Sequence, residues 1–277
     1  MAQAPQPGYV CGHSSGELER LTVQASLYAP FTRSSLVRAG IGPGMRVVDV
    51  GCGAGDVSLL AADLVGPGGA VLGLDRSPDA VAAAARRAIE RRALHVRFEV
   101  ADLENWSPDA PVDAVIGRFV LMHQQNPAAL LAHLRRVLPR GCLVAFIESD
   151  ISACRPGTHS RPHSPAYHLI VEWWKAIIAA AGAHLDMGSQ LAAAFTGAGF
   201  MPPTVEAGSY ESGGPDSPMV RFAIDSLRSM LPLATQAGLA APSEADLNRL
   251  EAQLRDELTE SGRVLAVPPV VAAWARV

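Results

Sequence analysis

The sequence predicts an α/β fold: a doubly wound, mostly parallel seven-stranded sheet with helices on its faces. Three observations predict it. Short apolar, β-branched runs alternate along the 277 residues with helical patterns, as strand–crossover–strand units do. One run, Val47-Val48-Asp49-Val50, passes directly into Gly51-Cys52-Gly53-Ala54-Gly55 and then into a helical stretch free of glycine and proline. Such a passage from buried strand to sharp turn to helix start marks the carboxyl edge of a parallel sheet. Lastly, the alternation breaks off after the fifth strand, so longer insertions decorate the sheet from there on.

The elements follow in order. Residues 1 to about 41 precede the first strand. Pro5, Pro7 and Gly8 predict a loose start. An amphipathic helix is expected over 17–25, with Leu18, Leu21 and Ala25 on one face, and a second is expected from Pro30 to Gly40. Together they form an N-terminal helical cover. Strand one is placed at 46–50 and strand two at 70–75. Ser77 and Pro78 open a helix through Ala88 as N-cap and first helical residue. Strands three and four are expected at 95–100 and 113–116. Pro127 starts a helix that Gly141 ends, and strand five spans 143–147. Then come a polar, proline-bearing loop and an apolar helix through Trp173 and Trp174, a helix near 189–196, strand six near 204–209, a helical pair at 217–236 and 243–260, and a last strand at 270–275. The expected organisation is therefore a cover (1–41) and a sheet domain (42–277), with helical insertions after strands five and six at about 150–187 and 217–261.

The glycine turn carries the chemistry. Glycine lacks a Cβ, so the backbone turns sharply and a ligand can come close. A dinucleotide fingerprint needs a third small residue where this chain has Asp56. The pattern is instead G-x-G-x-G through Gly55, with Asp49 just before it. Strand two ends at Asp75, placed to accept from a ribose diol. Strand three ends at Asp102-Leu103.

The run Asp49-Val50-Gly51-Cys52-Gly53-Ala54-Gly55, with Asp75 and Asp102, resembles the first motifs of the class I S-adenosylmethionine-dependent methyltransferases, in their small-molecule branch. That resemblance implies a Rossmann-like fold and S-adenosyl-L-methionine as cofactor. It implies that Asp49, Gly51, Cys52, Gly53, Gly55, Asp75, Arg76, Asp102, Leu103, Arg118 and Phe119 line the cofactor. In it, Asp102 meets the adenine amino group, Leu103 packs on the ring, and the segment Gly117-Arg118-Phe119-Val120-Leu121-Met122-His123 lies beside the sulfonium. The amino-methylating nucleic-acid branch carries an N-P-P-Y type motif in that segment, and the metal-dependent catechol branch an aspartate. This chain has neither. His123 is the candidate catalytic residue, a general base near neutral pH; the alternative is a histidine that fixes its loop by hydrogen bonds.

Composition narrows the class further. A net charge of −4 gives no footprint for nucleic acid. The arginine pairs at 86–87, 91–92 and 135–136 read as solvated helix faces. Four cysteines without a C-x-x-C pair suggest a reducing, cytoplasmic location. Neither a secretory pattern nor a membrane-spanning apolar run is present. The segment from His159 to His168 could be imagined with Glu148 and Asp150 as a metal site, but its spacing fits no standard ligand pattern, and no metal is expected. Cys52 is read as a small packing residue.

The function expected is methyl transfer from S-adenosylmethionine to an oxygen, nitrogen or carbon of a small organic acceptor, with that acceptor selected by the coverings. Neither nucleic acid nor membrane is an expected partner; a homodimer is left open. Two alternatives stand beside it: a fold relative that catalyses a non-methylating reaction such as a cyclisation, and a nicotinamide oxidoreductase.

Overall fold

A computed structural model describes residues 15–260 and 262–277, with side chains from residue 23 onward. In chain order the elements are α1 (Ser15–Ala39), β1 (Arg46–Val50), α2 (Asp56–Val65), β2 (Ala70–Asp75), α3 (Pro78–Glu90), β3 (Val96–Val100), β4 (Ala114–Arg118), α4 (Pro127–Val137) and β5 (Leu143–Ser149). After these come β6 (Ser160–Arg161), α5 (Pro165–Ala180), α6 (Met187–Gly197), β7 (Thr204–Gly208), β8 (Glu211–Gly213), α7 (Pro218–Gln236), α8 (Glu244–Glu260), β9 (Val264–Ala266) and β10 (Val270–Arg276). Two 3-10 turns, Leu121–His123 and Ile151–Ala153, follow β4 and β5.

The described chain divides into two units. The first comprises Tyr28–Glu148, Met187–Gly208 and Val270–Val277. It holds the predicted seven-stranded sheet, in the order β3-β2-β1-β4-β5-β10-β7. β1 pairs in parallel with β2 and β4, β2 with β3, and β4 with β5, whereas β7 runs antiparallel to β10. At one end of β5 the Val277 amide donates to Cys142, and at the other the Asp150 amide donates to Pro269. Those opposed bonds make β10 antiparallel to β5 as well.

Burial follows position in the sheet. Every residue of the central β5 is buried, as are the last four of β1 and the first four of β4. Their β-branched and aliphatic side chains suit a strand covered on both faces. The edge strands β3 and β7 keep Val100 and Val205 exposed. α3 starts as predicted, with Ser77 Oγ accepting from the Ala80 amide and Pro78 in the first turn.

The N-terminal region departs from expectation. Instead of two helices there is one, α1, running through Pro30. Pro30 points outward, while Tyr28, Thr32, Ser35, Leu36 and Ala39 are buried at helical spacing. The burial of that stripe outweighs the one intrahelical bond that proline removes. The expected loose start, Cys11, and the side chains of Leu18 and Leu21 lie outside the described residues.

The second unit comprises residues 149–186 and 209–269 with the chain up to Leu27. In it α5, α7 and α8 pack against one another, and a small antiparallel sheet orders β6-β9-β8. The sequence does not foretell that sheet, because strands of two or three residues show no periodicity. Trp174 is buried edge-on to Tyr167 and Phe222, and Trp173 is half-buried. No described helix is long and apolar enough to cross a membrane.

One close approach inside the sheet is testable. A Cβ at Gly73 would stand 2.4 Å from Phe98 Cδ1 and 2.9 Å from Ser58 Oγ. Gly73→Ala should cost about 1–3 kcal/mol in urea denaturation, whereas Gly68→Ala, with nothing within 4 Å, should leave stability nearly unchanged. Equal effects would show that the sheet absorbs the methyl group by shifting.

Candidate cofactor and methyl-transfer site

The site grows out of the carboxyl end of β1. Gly51, Gly53 and Gly55 take φ of 65°, 53° and 83°, the left-handed region that glycine enters without steric cost. They differ in what surrounds them. A Cβ on Gly51 would lie 2.7 Å from Val120 Cγ2, and one on Gly55 3.0 Å from both Ala84 Cβ and Phe98 Cζ. These two glycines let neighbours pack. Gly53 has nothing within 4 Å of its missing side chain, so it is the position where a ligand can lie against the backbone.

Other elements hold the turn. Asp75, at the end of β2, accepts from the Gly53 amide at 2.9 Å with one oxygen and from the Ser77 amide at 2.9 Å with the other. Each oxygen keeps a further lone pair, which suits a carboxylate to paired hydroxyls. Arg87 of α3 donates to the Ala54 carbonyl at 2.5 Å and pairs with Asp56 at 2.6 Å. Asp56, whose position argued against a dinucleotide fingerprint, is thus an anchor at the first residue of α2. Arg87, read from the sequence as part of a solvated helix face, is instead half-buried and turned onto the glycine turn, because the Ala54 carbonyl and the Asp56 carboxylate there give its charge partners.

Beneath the turn, Asp49 is buried and accepts from Ser58 Oγ at 2.6 Å. Burial pushes its carboxyl up to about 7, against the Ser58 bond and the Arg118 charge, which favour ionisation. Cys52 is buried, and burial together with the Asp49 and Asp75 carboxylates raises its thiol far above the usual range. It is a packing group with no thiolate to offer.

The segment after β4 is the other half of the site. Arg118 donates to Thr32 Oγ1 at 3.2 Å, and its guanidinium lies 5.6 Å from the Phe119 ring centroid. Phe119 has φ of 58°, rare for a residue with a side chain, and Tyr28 meets its ring edge-on at 5.1 Å. His123 closes the 3-10 turn and is half-buried. Burial, and then the nearby Arg76 charge, lower its imidazole to about 4. It is therefore neutral at physiological pH. Glu148 reaches this segment from β5 and accepts from the amides of Val120, Leu121 and Met122 at 2.9, 2.8 and 3.2 Å. Burial raises its carboxyl to about 7 against those three bonds.

Asp102 is exposed at the end of β3, accepting from the Glu104 amide and the Asn105 side chain, with Leu103 half-buried beside it. The sheet order sets the ends of β3, β2, β1 and β4 side by side, and the Arg76 field reaches His123.

The two carboxyls imagined beside the histidine segment are engaged by other groups. Glu148 is enclosed by backbone amides, and Asp150 caps the second 3-10 turn through Ser152 and Ala153. The His168 ring stacks on His159 at 5.6 Å and meets His163 edge-on at 5.5 Å. Among the described residues no three His, Cys, Asp or Glu side chains gather as a metal site.

The family profile described as "Methyltransferase domain" matches residues 41–183, over half of the chain and the whole glycine-turn region. The chain belongs to this methyltransferase-domain family. Among relatives, a trans-aconitate 2-methyltransferase of Methylobacterium nodulans is 41% identical over 118 residues, 42% of this chain and 43% of that protein. The chain spans about half the length of the curated relatives it matches. Among solved structures, the geranyl diphosphate C-methyltransferase of Streptomyces coelicolor A3(2), held with Mg2+, geranyl diphosphate and S-adenosyl-L-homocysteine, has a TM-score of 0.52 at 18% identity. That likeness covers 94% of this chain and 81% of the other. The [4+2]-cyclase SpnF has a TM-score of 0.52 at 21% identity, over 90% of this chain and 81% of its own. At such identities these two likenesses speak for the fold alone.

Asp75→Ala should weaken binding of S-adenosylhomocysteine by about 1.5–3 kcal/mol in calorimetry, as for a lost bond to a charged group; unchanged affinity would remove Asp75 from the site. A second expectation concerns pH. The Asp49 and Glu148 carboxyls have folded pKa values above their ordinary ones. Their contribution to stability is therefore complete below about pH 4 and is lost as pH rises towards about 7. Asp49→Asn should flatten the fall in unfolding free energy between pH 5 and 8, by on the order of 1–4 kcal/mol in urea denaturation. A parallel fall in wild type and variant would mean that Asp49 ionises freely in the fold.

Proposed function

We propose that this protein transfers a methyl group from S-adenosyl-L-methionine to an oxygen, nitrogen or carbon of a small organic molecule. The observation that carries the reading is the open face at Gly53 beside the Asp75 carboxylate, within the span that matches the methyltransferase domain. A glycine turn of left-handed backbone, an acceptor-only side chain for a diol, and an adjacent loop of fixed shape are what an adenosyl sulfonium needs. The relative that methylates trans-aconitate supports a small acceptor. When bound, the cofactor supplies an electrophilic methyl group for in-line displacement.

The chain's own residues then have limited tasks. Asp75 and Gly53 hold and orient, Asp102 and Leu103 receive the base, and Arg76, Arg118 and Phe119 border the site. Methyl transfer depends mostly on positioning and on exclusion of water. The sequence casts His123 as a general base near neutral pH; with its imidazole lowered to about 4 it is a weak base, neutral from about pH 5 upward, and its task is to orient the acceptor by a hydrogen bond to the acceptor's proton. Selection of the acceptor we assign to the coverings of the sheet, residues 1–41 and the insertions at about 150–187 and 217–261. A reducing cytoplasmic setting suits the buried free thiols of Cys52, Cys142 and Cys154.

The second reading is a non-methylating reaction such as a cyclisation on the same fold, a fold that the [4+2]-cyclase SpnF shares. Product mass separates the two. Incubation with small phenols, amines and carboxylic acids should release S-adenosylhomocysteine and yield a product heavier by one methyl group. Conversion at constant mass would replace methyl transfer with the second reading. In the first case His123→Ala should lower turnover about 10²–10⁴-fold while leaving cofactor affinity intact. The wild-type rate should also hold from neutral pH down to about 5 and fall as pH drops through about 4. Undiminished turnover would leave His123 a loop-fixing residue.

A further inference from the structure

We infer that Glu148 is the positioning residue for the methyl-transfer loop: it fixes residues 119–123 by capturing three successive backbone N–H groups. The inference rests on the methyl-transfer reading of the site and adds to it a residue that touches none of the reacting atoms.

The argument starts from the end of a strand. β4 and β5 pair in parallel as far as Arg118 opposite Ile147. One bond further, the Phe119 amide donates to the Ile147 carbonyl at 2.9 Å. There the ladder stops, because Phe119 turns to a φ of 58° and the chain leaves the sheet. The amides of Val120, Leu121 and Met122 are then the opening donors of a 3-10 turn, which has no internal acceptors for them. Val120, Leu121 and Met122 are buried, so water is not at hand either. Left unsatisfied, each amide would cost about 1–3 kcal/mol.

Glu148 solves this from the neighbouring strand. Its Oε1 accepts from Val120 and Leu121 and its Oε2 from Met122, and its side chain is fully enclosed. A carboxyl group has two oxygens on one short fork, each with lone pairs to spare, and so can serve three converging donors. Alanine would leave all three bare. Glutamine would keep Oε1 for two of them and turn an NH2 towards the third.

What the clamp holds has a bearing on the site. It fixes Val120, whose Cγ2 stands only 2.7 Å from where a Cβ of Gly51 would be. It fixes the strained turn at Phe119, a conformation that persists only where its surroundings impose it. It also sets the start of the turn that ends in His123, whose own amide donates to Val120 at 3.1 Å. The cradle at Gly53 is held separately, by Asp75 and Arg87. Removing Glu148 should therefore uncouple the loop from the cofactor cradle.

The test compares wild type, Glu148→Gln and Glu148→Ala by hydrogen exchange on a peptide spanning 117–125, by calorimetry with S-adenosylhomocysteine, and by turnover of an acceptor found in the screen. Exchange in that peptide should quicken at least about tenfold in Glu148→Ala and less in Glu148→Gln. S-adenosylhomocysteine affinity should stay within about fivefold. Turnover should fall about 10²-fold in Glu148→Ala and recover most of the way in Glu148→Gln, with the KM for S-adenosylmethionine little changed. Should Glu148→Ala fail to fold, the Gln variant decides by selective loss of protection at the Met122 amide. Unchanged exchange in 117–125, or a wild-type rate in Glu148→Ala, overturns the inference. So does a loss of cofactor affinity that matches the loss of turnover. If the wild type itself methylates nothing, the methyl-transfer reading is what has failed; exchange and calorimetry still decide whether Glu148 holds the loop.

Discussion

The constraint on which the site depends is the left-handed backbone just beyond β1. Three glycines at alternate positions, all with positive φ, take the chain out of the sheet and into α2. No side chain can replace them at Gly51 or Gly55 without displacing Val120 or the Ala84–Phe98 contact. Everything else is arranged around this path. Asp75 bonds its middle, Arg87 bonds its far end, and Asp49 and Ser58 brace its floor. The turn is rigid because four elements meet it, although glycine is the most permissive residue when alone.

The electrostatics of the site have a common cause. Two carboxyls, Asp49 and Glu148, are raised by enclosure, and one imidazole, His123, is lowered by it. Each is moved towards its neutral form, the direction that low polarisability imposes on any charge. Hydrogen bonds from Ser58 and from three amides oppose that tendency in the carboxyls. A region thus poised near neutrality strengthens the effect of any fixed charge placed in it, and Arg118 is the charge that the chain itself supplies next to Phe119.

Much of this was legible beforehand. The strands of the sheet could be read because buried parallel strands are β-branched runs, and Val47–Val50 and Leu143–Ile147 are such runs. The helix starts could be read at Ser77–Pro78 from a capping hydroxyl and a proline that needs no amide, and at Pro127 from the proline alone. The carboxylate at Asp75 could be read from its distance along the chain. Three things could not. The continuity of α1 through Pro30 depends on a buried stripe that tertiary packing alone reveals. The three-stranded sheet is made of strands too short to show a period. Arg87 and Glu148 act on backbone atoms far away in sequence, and a backbone amide leaves no mark in the one-letter code.

The order of strands across the sheet has a consequence for synthesis. β7 bonds to β10 and to no other strand of the sheet, and β10 lies between it and β5. A chain emerging from the ribosome therefore completes the pairing of β1 to β5 while β7 still has no neighbour. More than sixty residues, including α7 and α8, are made between β7 and its partner. During that interval one long edge of the nascent sheet, β5 with its apolar run Leu143–Ile147, stands open to solvent and to other chains. That edge is closed by β10, which of all the strands of this sheet comes latest in the chain.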